Sequence, residues 1–257
     1  MNVKAKKHLG QHFLTDENIA KKIVEGLDFQ PYQYVLEVGP GTGVLTKYLL
    51  EKPTETYVAE IDTESIEYLK LHFQKLENKH FTGDFLKINL NDIFSGEVAI
   101  IGNFPYNISS QILFKIIENY QQIPEMVGMF QKEVAERTAA VPRTKDYGIL
   151  SVLVQAYYDV KYLFTVHENV FNPPPKAKSG VIKLTRNRKE GLEGNEILFK
   201  QIVKTGFGQR RKKLSNALKS LDIPEVLKSH AFMDKRAEEL SVEDFINFTK
   251  EWKAAKN

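Results

Sequence analysis

The chain has 257 residues, of which 42% are hydrophobic and 27% are charged, and this length supports one sizeable core with a small second domain. It has no cysteine, which excludes a disulfide framework, a thiol nucleophile and cysteine-ligated metal, and favours a reducing, cytoplasmic location. Because no apolar run reaches membrane-spanning length and no secretory leader is recognisable, we expect a soluble protein without a membrane partner.

The charge is unevenly distributed along the chain. The net charge is only +3, yet 16 of the 36 basic residues lie in three segments without any acidic residue, 1–15, 169–189 and 197–221. A single run of this kind is either a solvated helix face or a surface for a polyanion. Three such runs in one chain favour an anionic partner.

Short β-rich runs alternate with amphipathic helical patterns over the first two thirds of the chain, which predicts a doubly wound α/β fold with a mostly parallel sheet. Thr15 is placed to cap the first helix. Strands are predicted at 34–38, 56–61, 80–82, 98–102, 126–130, 158–164 and 180–184, and the clearest helix at 109–120. Since only turn-rich sequence separates the last two strands, we expect them to form an antiparallel hairpin at the sheet edge.

The pattern beyond residue 187 is helical only, with helices predicted at 197–207, 210–221 and 242–252. This part has 15 basic and 11 acidic residues. We therefore predict two domains, an α/β domain over residues 1–187 and a small all-helical domain over residues 188–257.

A glycine-rich loop follows the first predicted strand. Residues 34–38 run into Gly39-Pro40-Gly41-Thr42-Gly43 and then into a helix, an order that places backbone N–H groups beside a ligand at the carboxyl edge of a parallel sheet. Glu60 ends the next strand, where its carboxylate can accept hydrogen bonds from both hydroxyls of a ribose. A tight turn without a ligand is the alternative, but this order of elements favours an adenosine-type cofactor.

Two acidic residues narrow the choice of cofactor. The glycine spacing differs from the dinucleotide pattern, and Glu37, just before the loop, would repel a pyrophosphate but suits a ligand with an ammonium and a sulfonium. Asp84, after the third predicted strand, can accept a hydrogen bond from an adenine amino group. S-adenosyl-L-methionine is therefore favoured over a nicotinamide dinucleotide, and a nicotinamide dehydrogenase remains as an alternative.

The segment Gly102-Asn103-Phe104-Pro105-Tyr106-Asn107-Ile108-Ser109 follows the fourth predicted strand. An exocyclic amine on an aromatic base is a poor nucleophile because its lone pair is delocalised into the ring. The Asn103 side-chain oxygen and the Pro105 carbonyl can accept its two N–H bonds and favour a pyramidal nitrogen, while the Tyr106 ring stacks on the base. A strand that ends at a proline turn with a core tyrosine is the alternative, which the nearby cofactor loop disfavours.

Together these segments resemble the rRNA adenine N6,N6-dimethyltransferases, and most closely the bacterial small-subunit (KsgA/RsmA) type. The resemblance extends over nearly the whole chain, through matches at 6–14, 131–137, 147–151, 171–176 and 207–214. It implies a Rossmann-like methyltransferase domain followed by a helical RNA-binding domain. It also implies that the protein uses S-adenosyl-L-methionine to dimethylate two adjacent adenosines in the 3′-terminal hairpin loop of 16S rRNA, within the immature small ribosomal subunit, with no metal and as a monomer.

The resemblance also implies roles for individual residues. Asn103, Pro105 and Tyr106 would hold the target amine, and Phe171 would stack on the other face of the flipped adenine. Many members have Asn where this chain has His12, so its side-chain contact to the cofactor is less secure than its backbone contact. The residues implied to contact the cofactor are His12, Leu14, Gly39, Gly41, Glu60, Ile61, Asp84, Phe85 and Asn103.

Two further alternatives remain open. One is the related antibiotic-resistance methylase that modifies an adenosine of large-subunit rRNA, which the matches at 6–14 and 207–214 disfavour. The other is a ribosome-assembly binding factor without catalysis, which the intact Asn103, Pro105 and Tyr106 disfavour.

Overall fold

The computed structural model describes residues 3–256; Met1, Asn2 and Asn257, at the ends of the predicted domains, lie outside the described residues. Packing of the Cα atoms divides the chain into two compact units, one made of residues 3–135 and 160–186 and the other of 136–159 and 187–256. The predicted domains differ from these units in residues 136–159 and in residue 187. That residues 1–187 and 188–257 fold as independent domains stays a prediction.

The first unit is built on a six-stranded sheet with the order β3-β2-β4-β5-β8-β6, beside a two-stranded pair of β1 and β7. Strands β2, β3, β4 and β5 pair in parallel, and β8 runs antiparallel to β5. The strands are β1 (Phe13–Leu14), β2 (Tyr34–Val38), β3 (Glu55–Ala59), β4 (Val98–Asn103), β5 (Glu125–Gln131), β6 (Tyr158–Val166), β7 (Phe171–Asn172) and β8 (Ser179–Arg186).

The central strands are buried runs, as expected for a parallel sheet covered on both faces. In β4 the residues Val98, Ala99, Ile100 and Ile101 have no exposed surface. Helices surround this sheet: α1 (Glu17–Val24), α2 (Thr46–Leu49), α3 (Thr63–His72), α4 (Leu90–Ile93) and α5 (Ser109–Glu118). The unit has the predicted Rossmann-like α/β architecture, in which the carboxyl ends of β2, β3 and β4 share one edge.

Two local predictions for this unit were wrong. The strand predicted at 80–82 is reduced to a single bridge between Val58 and Phe81, because the chain enters it from a 3-10 turn at Asn78–His80. The first helix is capped by Asp16 rather than Thr15, since the Asp16 carboxylate accepts the backbone N–H groups of residues 18 and 19. The predicted pair of strands at the sheet edge is present as the neighbours β8 and β6, with β6 outermost.

The second unit is helical. Helix α6 (Lys132–Thr138) spans the division between the units, and α7 (Ile149–Gln155), α8 (Glu196–Gly208), α9 (Leu214–Ala217) and α10 (Val242–Ala254) follow it. Its interior is aromatic, with the Phe207 ring 5.9 Å from those of Tyr147 and Phe245. Residues 136–159 join this unit through long-range hydrogen bonds, such as that from the Tyr147 hydroxyl to the Leu240 carbonyl at 2.9 Å.

Of the helix predicted at 210–221, only Leu214–Ala217 is helical. Lys213 is extended and forms a backbone bridge with Arg236, and the Leu214 N–H donates to the Lys235 carbonyl at 2.8 Å. This tertiary pairing outweighs the helical pattern, so residues 209–213 form a turn and the helix begins at Leu214. Over residues 3–256, no helix combines the length and apolar character needed to cross a membrane.

Candidate active site

An open cavity lies at the carboxyl ends of β2, β3 and β4. This is where ligands bind in open α/β sheets. Eight of the predicted site residues line it: His12, Gly39, Gly41, Glu60, Ile61, Asn103, Pro105 and Tyr106. The structure thus brings together the cofactor loop and the motif predicted to hold the target amine.

The glycine loop passes close to the N-terminal segment at Gly41. Its φ of +55° is in the left-handed region, and a Cβ there would lie 2.8 Å from the Phe13 ring. Glycine is therefore required both by the backbone conformation and by the close approach of this ring. Phe13, which also lines the cavity, was not among the predicted site residues.

Glu60 is buried at the floor of the cavity and is held by backbone donors. Its carboxylate accepts the N–H groups of Ile61 at 2.8 Å, Asp62 at 2.9 Å and Gly41 at 3.3 Å. Burial raises the pKa of Glu60, and these three hydrogen bonds oppose that shift. Because a carboxylate offers about four lone-pair sites, it retains acceptor capacity for a ligand hydroxyl.

Three further residues predicted to contact the cofactor, Ile61, Asp84 and Phe85, are not placed alike. Ile61 is 54% exposed on the cavity wall, where it offers an apolar surface. Asp84 accepts the Leu86 N–H at 3.0 Å and lies 3.3 Å from the Lys87 ammonium, and Phe85 is buried. Asp84 and Phe85 do not line the cavity, so their contacts to the cofactor stay predictions.

Glu37 corrects one step of the sequence argument. Its side chain is buried and accepts the Thr46 hydroxyl at 2.6 Å, beside a small separate cavity that Leu14 also borders. Burial raises the pKa of Glu37 to about 8, so the group is mostly neutral near pH 7. It is therefore not the exposed charge that was expected to select a cationic ligand.

Asn103 ends β4 and is oriented by the N-terminal segment. Its Nδ2 donates to the His12 carbonyl oxygen at 2.8 Å. Because a carbonyl can only accept, this bond fixes which amide atom faces His12 and leaves Oδ1 free of that contact. Oδ1 is the atom that the predicted mechanism uses as an acceptor.

Pro105 and Tyr106 complete this side of the cavity. The Pro105 carbonyl accepts only long bonds, from Ile108 N at 3.3 Å and Ser109 Oγ at 3.5 Å, so it keeps capacity for a strong donor. The Tyr106 hydroxyl lies 2.5 Å from the Ser179 hydroxyl, which anchors the ring to the start of β8. Burial raises the pKa of Tyr106, so it stays a neutral ring and hydroxyl.

The N-terminal segment, residues 6–14, is tied to the sheet edge by bonds that the sequence analysis did not predict. The buried Asp62 carboxylate forms an ion pair with Lys6 and accepts from Gln11 Nε2 at 3.1 Å. Burial acts to raise the pKa of Asp62, but its bonds to Lys6 and Gln11 outweigh this and hold it below the ordinary value. The sequence feature that could have pointed to Asp62 is its position two residues after Glu60, which was a predicted site residue.

Phe171 is not placed beside Tyr106 in this structure. It is 5% exposed, belongs to the hydrophobic cluster beneath the sheet edge and pairs with Leu14 in the β1/β7 ladder. It is not among the residues that line the main cavity. Its stacking on a flipped adenine stays a prediction.

The densest basic run lies in the second unit, in the turn at 209–213. Arg210 forms an ion pair with Glu238 at 2.5 Å and donates to the Thr144 carbonyl at 3.1 Å. Arg211 and Lys212 are exposed, and Arg211 borders a groove of mixed charge, whose lining residues are Arg143, Lys213, Asp234, Arg236, Glu238 and Glu239. Only part of the run is therefore available to a polyanion.

The cavity fits the chemistry of S-adenosyl-L-methionine. It joins a buried carboxylate with acceptor capacity, a glycine loop and an exposed apolar wall. A pyrophosphate would favour a lysine or arginine at its site. Of residues 3–256, no lysine or arginine lines this cavity. In the same described range, no group of three or more His, Asp or Glu side chains could hold a metal ion.

The sheet order, the glycine loop and this cavity define a Rossmann-like, S-adenosyl-L-methionine-dependent methyltransferase. Residues 2–254 match the profile of the family described as ribosomal RNA adenine dimethylase, and the chain belongs to that family.

Individual proteins and structures show the same relationship. A ribosomal RNA small subunit methyltransferase A from Flavobacterium johnsoniae is 58% identical over 253 residues, which cover 98% of this chain and 97% of the relative. The protein of the same name from Cytophaga hutchinsonii is 57% identical, with 96% of each chain covered. A dimethyladenosine transferase structure from Plasmodium falciparum superposes with a TM-score of 0.83 at 26% identity, covering 95% of this chain and 98% of the other. The 23S rRNA methyltransferase ErmE gives 0.69 at 25% identity, with 94% and 99% covered.

Proposed function

We propose that this protein transfers methyl groups from S-adenosyl-L-methionine to the N6 amines of two adjacent adenosines in the 3′-terminal hairpin loop of 16S rRNA. The substrate is the immature small ribosomal subunit, so the reaction forms part of subunit biogenesis. We further propose that it acts as a monomer in the cytoplasm, where the absence of cysteine suits a reducing environment. Family membership and the named relatives support the reaction and the small-subunit substrate.

The observation that carries this proposal is the orientation of Asn103. Its Nδ2 is committed to the His12 carbonyl, so Oδ1 is available on the cavity side together with the Pro105 carbonyl and the Tyr106 ring. Two acceptors and one stacking ring are the set that an exocyclic adenine amine requires.

These residues act on the amine before the methyl group is transferred. Hydrogen bonds from its two N–H groups to Asn103 Oδ1 and Pro105 O draw the lone pair out of conjugation with the purine ring. The Tyr106 ring, fixed by Ser179, holds the base in plane. When bound, S-adenosyl-L-methionine supplies an electrophilic methyl group on a sulfonium. The methylated nitrogen is strongly acidic, so water can take its proton and no basic side chain is required.

RNA recognition is proposed to rest on shape and phosphate contacts, with the target base splayed out of the loop. The exposed Arg211 and Lys212 of the 209–213 turn support this, as do the three acid-free basic runs of the sequence. We expect binding to weaken steeply as salt concentration rises, because phosphate contacts release counterions.

The direct test uses tritiated S-adenosyl-L-methionine with small subunits from cells that lack this modification. Label is expected in N6,N6-dimethyladenosine after digestion of the 16S rRNA to nucleosides. Purified large subunits serve as the comparison substrate. Label in cytosine, in ribosomal protein, or in large-subunit rRNA alone would contradict the proposal.

A further inference from the structure

Two glycines lie opposite each other in the sheet, just before the residues proposed to hold the target amine. Gly102 of β4 pairs with Gly128 of β5 in the parallel register, and both are buried. Because glycine has no side chain, the pair leaves a gap on one face of the sheet, and a strand glycine often marks such a close approach. The side chain of Phe104 occupies this gap.

The Phe104 ring is in close contact with both glycines. A Cβ on Gly128 would lie 2.0 Å from a ring carbon of Phe104, and a Cβ on Gly102 would lie 2.8 Å from another. Neither glycine can therefore gain a side chain while the ring keeps its place. The Phe130 ring of β5 encloses the Phe104 ring from one side, with 4.8 Å between their centroids. Since Phe104 is 1% exposed, its ring offers almost no surface to a ligand.

Phe104 stands between the two proposed acceptors in the chain. Its N–H donates to the Met129 carbonyl at 3.1 Å, so its main chain and its side chain are both held by β5. One acceptor is the side-chain oxygen of Asn103, the residue before it, and the other is the carbonyl of Pro105, the residue after it. Because planar peptide bonds join these three residues, the placement of Phe104 constrains the position of both acceptors.

We propose that Phe104 and Gly128 are positioning residues for the methyl-transfer step. The ring, packed against the bare backbone of β5, holds Asn103 and Pro105 at the separation that the target amine requires. This inference rests on the proposed function and extends the site to β5, which supplies neither acceptor. A displacement of about 1 Å at a reacting group can slow an enzyme about a hundredfold, so small shifts of the ring matter.

Paired substitutions separate positioning from packing. Gly128→Ala adds a methyl group that displaces the Phe104 ring, and Phe104→Val removes the ring atoms that this methyl group would meet. In the double variant, the methyl group occupies part of the space that the ring has left. Phe94→Val is the matched control, because Phe94 is 2% exposed and its ring packs against those of Tyr34 and Tyr57 at 5.4 and 4.9 Å.

Three properties of each variant are measured under conditions where circular dichroism shows that it is folded. The first is the rate of methylation of unmodified small subunits at limiting and at saturating subunit, which gives KM and kcat separately. The second is the affinity for S-adenosyl-L-methionine, by calorimetry. The third is the melting temperature, which reports the cost of the changed packing.

The expected result is a loss of kcat that stability does not explain. The kcat falls roughly thirty- to a hundredfold in Gly128→Ala and about three- to tenfold in Phe104→Val. The double variant is only about three- to tenfold slower than the unsubstituted protein, whereas independent effects would multiply. Phe94→Val lowers the melting temperature as much as Phe104→Val does, by about 5–10 °C, but keeps kcat within about twofold. Cofactor affinity changes less than about threefold in every variant, because Glu60 and the glycine loop follow other strands.

The inference fails if Phe104→Val and Phe94→Val have the same kcat, because the Phe104 ring would then contribute packing alone. It also fails if the double variant is slower than Gly128→Ala, or if kcat falls only in step with cofactor affinity. Should Gly128→Ala not fold, the comparison of the two valine variants decides the matter by itself. If the unsubstituted protein methylates no adenosine of the small subunit, the proposed function fails, which is distinct from methylation that is indifferent to these substitutions.

Discussion

The strand ends and the N-terminal segment both border the main cavity, but they are held in different ways. Strand β2 is paired in parallel with β3 on one side and β4 on the other, and the Gly39 N–H continues this ladder to the Ala59 carbonyl at 2.9 Å. Residues 6–14 contain the 3-10 turn Lys7–Leu9 and the two-residue strand β1, which pairs only with the two-residue β7, and further single hydrogen bonds that involve a side chain join them to Asp62, Asn103 and Pro173.

This difference indicates that the two regions have different roles at the cavity. Groups on a cooperative backbone ladder are fixed before a ligand arrives, and such preorganised groups contribute most to catalysis. A side-chain hydrogen bond contributes about 1 kcal/mol to stability, so a segment held by a few of them can open and close. Substitutions at the strand ends should therefore have larger effects than substitutions that loosen the N-terminal segment.

Replacement of Asn103 by Ala should have the largest effect. It removes one of two acceptors for the target amine, and loss of a preorganised polar contact of this kind lowers kcat by roughly a hundred- to a thousandfold. Single-turnover methylation of unmodified small subunits measures the effect. Asn119→Ala is the matched control, because that amide also donates to a backbone carbonyl but lies at the end of α5. Activity within tenfold of the unsubstituted protein would contradict the role of Asn103.

Glu60→Gln should weaken cofactor binding rather than slow the methyl-transfer step. A glutamine amide group would oppose one of the three backbone N–H donors now bound to the carboxylate. We expect S-adenosyl-L-methionine affinity, measured by calorimetry, to fall roughly ten- to a hundredfold. Glu55→Gln, at the other end of β3 and partly exposed, is the control and should leave affinity unchanged. Equal losses of affinity in Glu60→Gln and Glu55→Gln would contradict the assignment of cofactor binding to the carboxyl end of β3.

Glu37 provides a test of stability. Its pKa is raised from 4.5 to about 8 by burial, so the folded state holds a proton that the unfolded state releases between these values. Stability contributed by this group is therefore full at low pH and is lost as pH rises towards 8. In urea unfolding, the protein should lose stability relative to Glu37→Gln by up to about 1.4 kcal/mol per pH unit across that range. Parallel pH profiles of the two proteins would show that Glu37 is ionised when folded.

Asp62→Asn should have the smallest effect. Asparagine still caps α3 but no longer carries the charge that pairs with Lys6, which loosens the N-terminal segment. We expect cofactor affinity to fall about two- to fivefold, and less at high salt, because the partner is a solvent-accessible ammonium. Lys6→Gln should match it, and the double variant should add nothing. A defect as large as that of Glu60→Gln would erase the distinction between the two regions.

Much of this architecture could be predicted because it is local. The strand at 34–38, the glycine loop and the acid after the next strand follow one another in sequence, and parallel pairing alone brings their ends together. The motif at 102–109 was assigned from the residue types that its chemistry requires. The resemblance to a known family then added His12, Leu14 and Phe171.

The parts that were missed depend on contacts distant in sequence. The turn at 209–213 replaces helix because Lys213 pairs with Arg236, and residues 136–159 belong to the helical unit because Tyr147 bonds to Leu240. Neither partner is signalled by local periodicity. Glu37 was predicted to be charged because its burial follows only from the three-dimensional packing. That burial is what raises its pKa.

The central claim is that the acceptors at the end of β4 prepare adenine amines for dimethylation. It is tested most directly by mass spectrometry of the 3′-terminal fragment of 16S rRNA from unmodified small subunits incubated with the protein and S-adenosyl-L-methionine. In an incubation just long enough for the unsubstituted protein to complete the reaction, the account predicts two adjacent N6,N6-dimethyladenosines with that protein and methylation of at most roughly a few per cent of the fragment with Asn103→Ala. Methylation at another base, or an equally dimethylated fragment with Asn103→Ala, would contradict it.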